Sequence, residues 1–431
     1  MPEVTGLDVA TRDRTQPVPR SAAPAATSGH AAGAGRFEEL EAYRGIAALL
    51  IVVFHAYQYS REATGRAEYV YAGTPWHSLF SNLEATVAWF FVLSGFLVFL
   101  PIARGAIERG RGHAARGFLI RRAIRIVPPY YLAIALVWAW RFTGGREQWV
   151  DLAEHLTFTQ IFDPVHIFWT IGPAWSLSVE VLFYVFLAGV GVFAGTICRR
   201  IEGETRRAGL LAGASAMLIA GSVAYKWWAA EVAHIPEANF PIWFGPVAKL
   251  DLFAIGMLLA VIVVVARGRV LVGGAMPSIL RLAACALTVG DFLLRLSNET
   301  VNLYFHTLSG VAFALVLAST VLGPRDATWG RALTWPPLQY LGLISYSVYL
   351  WHEPILIELG QRGILIQPQP KLFPLNALIL ATLAVVAASL SYAGIERPVL
   401  GLRFLFTREG RLAQQYPEEQ SRLHGERGVN S

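Results

Sequence analysis

Arg44-Gly45-Ile46-Ala47-Ala48-Leu49-Leu50-Ile51-Val52-Val53-Phe54-His55 is an apolar run with a cation at its mouth and an imidazole inside. The two ionisable residues are 11 positions apart. At about 100° per residue this spacing returns to within roughly 20° of the same helix face, and at about 1.5 Å rise it separates them by roughly 16 Å along the axis. With Arg44 at one surface of a hydrocarbon core about 30 Å thick, His55 reaches mid-membrane. An ionisable group at that depth is costly and is by default a candidate for function. On this segment alone a second reading stands beside it: a histidine bonded to a neighbouring helix and an arginine that snorkels to the interface.

The rest of the chain has the same character. Its 431 residues are 55% hydrophobic and 15% charged, with a mean hydropathy of +0.46, whereas an ordinary soluble domain carries about 25% charge. Runs of about 20 apolar residues succeed one another, which predicts an all-α polytopic membrane bundle. They fall near 45–60, 83–101, 128–140, 177–197, 209–228, 243–266, 270–294, 301–322, 338–359 and 373–395, giving about ten spans. The seventh is interrupted near Gly273-Gly274 and Pro277, and residues 141–174 read as a polar, aromatic loop. Residues 1–36, rich in Ala, Pro, Ser and Arg, read as a disordered tail without the apolar core of a signal peptide, which makes the first span an uncleaved anchor. The body is expected over 37–405. The polar tail 406–431 is too short for a second folded domain.

Charge sets the expected orientation. Assigning both tails and the loops after even-numbered spans to the cytosol places 27 of the 36 Lys and Arg there, the excess that cytosolic loops carry. The net charge of +6 sits in short clusters beside apolar runs. That is a topology pattern and gives no sign of a nucleic-acid partner; the partner it implies is the lipid bilayer. Cys198 and Cys285 are the only cysteines, one beside an arginine cluster and one in an apolar run, so neither a disulfide nor a metal site is expected.

Four further stretches carry chemistry. Arg121, Arg122 and Arg125 stand where the third span leaves the cytosol, Arg121 and Arg125 sharing a face at i, i+4. Arginine's planar fork binds two phosphate oxygens at once, although cytosolic anchors also need basic residues. Pro128-Pro129 should break or kink the helix within a turn, leaving the arginines on the rim of a recess. Ala174-Trp175-Ser176-Leu177-Ser178-Val179-Glu180-Val181-Leu182-Phe183-Tyr184 enters the fourth span from outside. Glu180 is an intramembrane acid with structural and functional readings of equal weight, while Trp175 and Tyr184 suit the interface. Ser345, Tyr349 and His352, at i, i+4 and i+7, make a polar stripe on the ninth span. The stripe either bonds helix to helix or brings His352 to the depth of His55. Glu396-Arg397-Pro398 reads as an ordinary helix-end ion pair.

Together these motifs resemble the type-3 membrane acyltransferases, integral proteins that O-acylate carbohydrates and other hydroxyl-bearing molecules. The parts occur in family order over about 37–405: Arg44-x10-His55, Phe90-Phe91-Val92-Leu93-Ser94-Gly95-Phe96, Arg121-Arg122-x-x-Arg125-x-x-Pro128, Trp175-Ser176-Leu177-Ser178-Val179-Glu180, Ser345-Tyr346-Ser347-x-Tyr349-Leu350-x-His352 and Glu396-Arg397-Pro398. Each alone is weak and the ordered set is specific. Lys249-Leu250-Asp251 stands where many members carry Arg-x-Asp.

The resemblance implies His55 as catalytic base with Arg44 beside it, and Arg121, Arg122 and Arg125 near acyl-CoA. Glu180 completes the candidate catalytic set, and Trp175, Ser178, Tyr184, Ser345, Tyr349 and His352 form a polar stripe for substrate or structure. The donor substrate is expected to be acyl-CoA, acetyl-CoA in the simplest case, with no permanently bound cofactor. The acceptor is expected to be a carbohydrate, glycolipid or glycosylated metabolite of the envelope, and the location a bacterial cytoplasmic membrane. No hydrolase-like domain of the kind fused to some members is expected after the tenth span. A secondary transporter would also need many helices with intramembrane His, Glu and Arg, but no hydropathy repeat between the halves supports it. A non-catalytic envelope scaffold is the third reading.

Overall fold

The computed structural model describes residues 31–63, 68–109, 115–324, 327–365 and 371–401. Residues 1–30 and 402–431, most of the two expected tails, lie outside the described residues, as do Arg111, Gly112 and their neighbours in the basic loop. All regular elements among the described residues are helical: α1 (Ala31–Ala63), α2 (Pro75–Ser81), α3 (Thr86–Arg109), α4 (Ala115–Arg141), α5 (Arg146–Thr157), α6 (Ala174–Cys198), α7 (Glu204–Trp227), α8 (Phe240–Trp243), α9 (Leu250–Ala266), α10 (Met276–Leu294), α11 (Glu299–Val321), α12 (Ala327–Leu333), α13 (Pro336–Gln361), α14 (Phe373–Ser391) and α15 (Arg397–Gly401).

Each of the ten expected spans is a helix, but among the described residues eight helices are long and apolar enough to cross a membrane by length and composition. The two exceptions have physical reasons. α9 has 17 residues and is buried along most of its length, so it meets other helices where a lipid-facing span would have to match the bilayer. α13 carries Ser345, Ser347, Tyr349, His352 and Glu353 in its middle, polar groups that only a protein interior can satisfy. Val185, Phe193, Met217, Leu282, Leu378 and Leu390 are exposed on other helices, as expected where side chains face acyl chains.

Four local expectations change. α4 starts at Ala115 and runs unbroken through Pro128 and Pro129, so the prolines do not end it. Residues 141–174 are more than a loop: α5 lies on α4, where Tyr130 donates to the His155 carbonyl (3.1 Å) and Tyr131 to that of Leu156 (2.6 Å). Pro277 sits in the first turn of α10, where its missing N–H costs nothing, and so it starts the helix. Glu396, in a one-turn π segment (Tyr392–Glu396), turns into the bundle to accept from the hydroxyl of Ser347 and makes no helix-end ion pair among the described residues.

Glycines set the two closest helix crossings. A Cβ at Gly95 of α3 would overlap the Phe253 carbonyl of α9, and one at Gly256 would overlap that of Val92. On the other side, a Cβ at Gly342 of α13 would overlap the Glu41 carbonyl of α1, and one at Gly45 would come within 2.8 Å of the Gly342 nitrogen. Small residues let membrane helices approach to backbone contact and gain dispersion energy. The α1–α13 crossing is what holds His55 against His352.

Candidate active site

Arg44, Arg122 and Arg125 converge on a cavity of about 240 Å³ between α1, α3, α4, α6 and α13. Arg122 and Arg125 are three residues apart on α4. Arg121, expected beside them, is exposed and is not among the lining residues. Glu180 lines the same cavity and accepts from the hydroxyls of Ser94 and Tyr184, and Arg122 lies 5.6 Å from the Tyr184 ring centre. Glu41 and Glu396 act electrostatically on Arg125 and Arg44 from outside the lining. The wall therefore presents three guanidiniums and one carboxylate. Nε of Arg44 is ion-paired with Glu41 at 3.9 Å without a hydrogen bond, and the Ser345 hydroxyl is buried without a hydrogen-bond partner. Buried polar groups are normally satisfied, and the Ser345 hydroxyl is left open to a hydrogen bond in this wall.

His55 lines a second, larger cavity of about 490 Å³ with Gln58, Glu84, Trp175, Phe244, His306 and Glu353. Aromatic faces with carboxylates and imidazoles among them can hold a ring bearing hydroxyls. Tyr349 and Val87 line both cavities. The arginines thus stand at one end of the bundle and His55 at the other, with Tyr349 at the neck. Glu180, expected near the outer surface, belongs to the arginine end.

The two imidazoles fix each other's protons. His352 Nδ1 lies 3.2 Å from the Val348 carbonyl. A carbonyl only accepts, so this nitrogen carries hydrogen and Nε2 of neutral His352 is an acceptor. That Nε2 faces His55 Nδ1 at 3.1 Å. His55 Nδ1 also lies 3.0 Å from the Ile51 carbonyl, so it carries hydrogen and shares it between the two acceptors. The lone pair of His55 is left on Nε2, the arrangement a general base needs.

The remaining expected residues divide. Trp175 is buried in the wall of the His55 cavity and Ser345 in that of the arginine cavity. Ser178 is fully buried and lines neither cavity; its hydroxyl makes a long contact to the Ala174 carbonyl (3.5 Å) and interacts with the Tyr130 hydroxyl. Lys249 and Asp251 do not hydrogen-bond to each other: Asp251 accepts from Lys226 (2.6 Å), while Lys249 feels the Asp251 charge and reaches His306 (3.3 Å) under the Phe244 ring. Sequence reasoning missed Glu84, which pairs with Arg295 (2.5 Å), and the hydroxyl pair Ser176–Tyr349 (2.7 Å). It also missed a cluster on the α5 loop, where His166 Nδ1 lies 3.1 Å from Glu154 and 3.2 Å from Asp163. Burial first, then Asp163, holds the Glu154 carboxyl above its ordinary value.

A family model described as an acyltransferase domain matches residues 37–393. The chain belongs to the type-3 membrane acyltransferases. It is 30% identical over 321 residues to the exopolysaccharide production protein ExoZ of Rhizobium meliloti, covering 72% of this chain and 87% of that one. It is 22% identical over 329 residues to the peptidoglycan O-acetyltransferase OatA of Listeria monocytogenes, covering 72% of this chain and half of that protein. No solved structure matches. This acyltransferase is therefore a multi-pass membrane enzyme, and the transporter and scaffold readings fall away.

Proposed function

We propose that this acyltransferase moves a short acyl group, acetyl in the simplest case, from cytosolic acyl-CoA to a hydroxyl of a cell-envelope carbohydrate or glycosylated metabolite in the cytoplasmic membrane of a bacterium. One observation carries the reading: three guanidiniums line one cavity, an oriented imidazole lines another, and the two share Tyr349 in their walls. In this reading Arg44, Arg122 and Arg125 hold phosphate oxygens of CoA through charge-assisted hydrogen bonds, and the thioester extends toward the neck. The acceptor lies against Trp175 and Phe244 with one hydroxyl at His55 Nε2. His55 takes the hydroxyl proton as the oxygen attacks the thioester carbonyl carbon. The C–S bond then breaks, and the proton passes from His55 to the leaving CoA thiolate.

The test compares cells lacking the protein with cells complemented by wild type or by His55→Ala, by mass spectrometry of surface glycans and secreted metabolites. Wild type should restore a species heavier by one acyl unit, and His55→Ala, inserted at equal abundance, should not. Restoration by His55→Ala would remove His55 from the base role. Identical spectra with and without the protein would remove the envelope acceptor.

A further inference from the structure

We infer that Tyr349, backed by Ser176, is a catalytic residue that binds the oxyanion formed when the acceptor attacks the thioester. This rests on the acyl-CoA reading above and extends it to the atom on which charge develops. The reacting carbonyl must be reachable from both ends of the bundle. Of the residues lining the arginine cavity and the His55 cavity, only Tyr349 and Val87 line both, and Val87 is apolar. Tyr349 therefore offers the one polar side chain common to the two walls.

Its hydroxyl is also free to turn. Ser176 Oγ and Tyr349 Oη lie 2.7 Å apart, and each also lies near the Pro173 carbonyl, at 3.0 and 3.2 Å. Two hydroxyl hydrogens thus serve three contacts. The Pro173 carbonyl already accepts from the Ser176 amide at 3.2 Å. Turning the Tyr349 hydrogen from Pro173 into the neck gives up the longest of the three hydroxyl contacts, and Ser176 still donates to Tyr349, which strengthens Tyr349 as a donor. Pro173 caps α6, whose N-terminal dipole favours negative charge at the same place.

The step balances. His55 Nε2 takes the acceptor's proton, the acceptor oxygen bonds to the thioester carbon, and the carbonyl π pair moves to oxygen. That oxyanion accepts from Tyr349. Collapse re-forms the carbonyl, breaks the C–S bond, and returns the proton from His55 to the departing thiolate. A donor aimed at the oxyanion acts mainly on the transition state, so its loss lowers kcat more than it raises KM.

The experiment uses the full chain in lipid nanodiscs with acetyl-CoA and envelope polysaccharide from the parent cells, reading CoA release and acetyl incorporation. Tyr349→Phe keeps the ring and should lower kcat about a hundredfold with KM for acetyl-CoA within about threefold of wild type. Ser176→Ala should lower kcat about tenfold, and Ser176→Thr should recover most of it. A kcat within about threefold of wild type for Tyr349→Phe, or a raised KM at constant kcat, would overturn the inference. If Tyr349→Phe does not fold, Ser176→Ala decides in the same way. A wild type that acylates glycans in cells but takes nothing from acetyl-CoA would instead overturn the donor assignment.

Discussion

Replacing His352 by leucine tests the tautomer argument. Leucine fills a similar volume in a fully buried site and removes the lone pair that faces His55 Nδ1 at 3.1 Å. The proton on Nδ1 then has the Ile51 carbonyl as its remaining acceptor, at 3.0 Å, and that carbonyl is also engaged by the helix. One intramolecular hydrogen bond contributes about 1 kcal/mol net, which is roughly a fivefold change in the equilibrium constant between the two His55 tautomers. We expect kcat to fall by about two- to fivefold, fivefold being the ceiling that about 1 kcal/mol sets, with KM for acyl-CoA unchanged, since His352 lies away from the arginines. His352→Gln, which restores an acceptor oxygen at similar reach, should return kcat to within about twofold of wild type. Steady-state kinetics in nanodiscs give the rates. Nitrogen-15 chemical shifts of selectively labelled histidine report which His55 nitrogen is protonated. Wild-type kcat in His352→Leu, with His55 still protonated on Nδ1, would show that Ile51 alone sets the tautomer.

Three other outcomes follow from the geometry. Arg122→Ala and Arg125→Ala should each raise KM for acyl-CoA about tenfold, the loss of one charge-assisted hydrogen bond, whereas exposed Arg121→Ala should leave it unchanged; equal effects at all three would mean a diffuse charge effect. Gly342→Ala gains about 1 kcal/mol of helix propensity but drives a methyl into the Glu41 carbonyl, an overlap that costs about 1–3 kcal/mol or more. Thermal unfolding in detergent should show net destabilisation, while Gly189→Ala, which meets open space, should be neutral or better. For sidedness, Arg146→Cys and Arg200→Cys, both at exposed positions, are made in a background with Cys198 and Cys285 replaced by alanine. An impermeant maleimide should label the first in intact cells and the second only after permeabilisation; the reverse pattern would put the arginine cavity on the side away from cytosolic CoA.

Much of the bundle is legible because a membrane span needs only length and apolarity, and those are local. Tertiary choice is not. The same-face rule allows both i+3 and i+4 neighbours, so it could not decide whether Arg121 or Arg122 joins Arg125; the position of α6, with Tyr184 beneath Arg122, decides it. His55 and His352 are 297 positions apart, and only counting helical rise from each helix start hinted at their common depth. Lys226–Asp251 and Glu84–Arg295 pair across helices. No spacing rule yields such pairs, because a buried charge selects its partner from whichever helices pack against it. α13 falls below the hydropathy of a span for the reason that makes it interesting: its polar residues face protein.

The reaction centre also explains why it needs so little from loops. Arg44 and His55 lie on one rigid helix, so in the proposed mechanism α1 by itself sets the distance from phosphate clamp to base. The contact between Gly45 and Gly342 fixes α13 against α1, and with it His352 on His55 and Tyr349 at the neck. Tyr349 in turn bonds Ser176 at the start of α6, whose next turns carry Glu180 and Tyr184 into the arginine cavity. Three helices locked by two close contacts thus place Arg44, Tyr349 and His55 in a fixed order, the order that the proposed clamp, neck and base require. Groups held on packed helices keep their geometry better than groups on loops. In the proposed reaction an acceptor arriving at one end and a thioester arriving at the other meet at a carbonyl position that these packed helices fix in advance, and a shift of α13 along α1 would separate His55 from His352 and Tyr349 together.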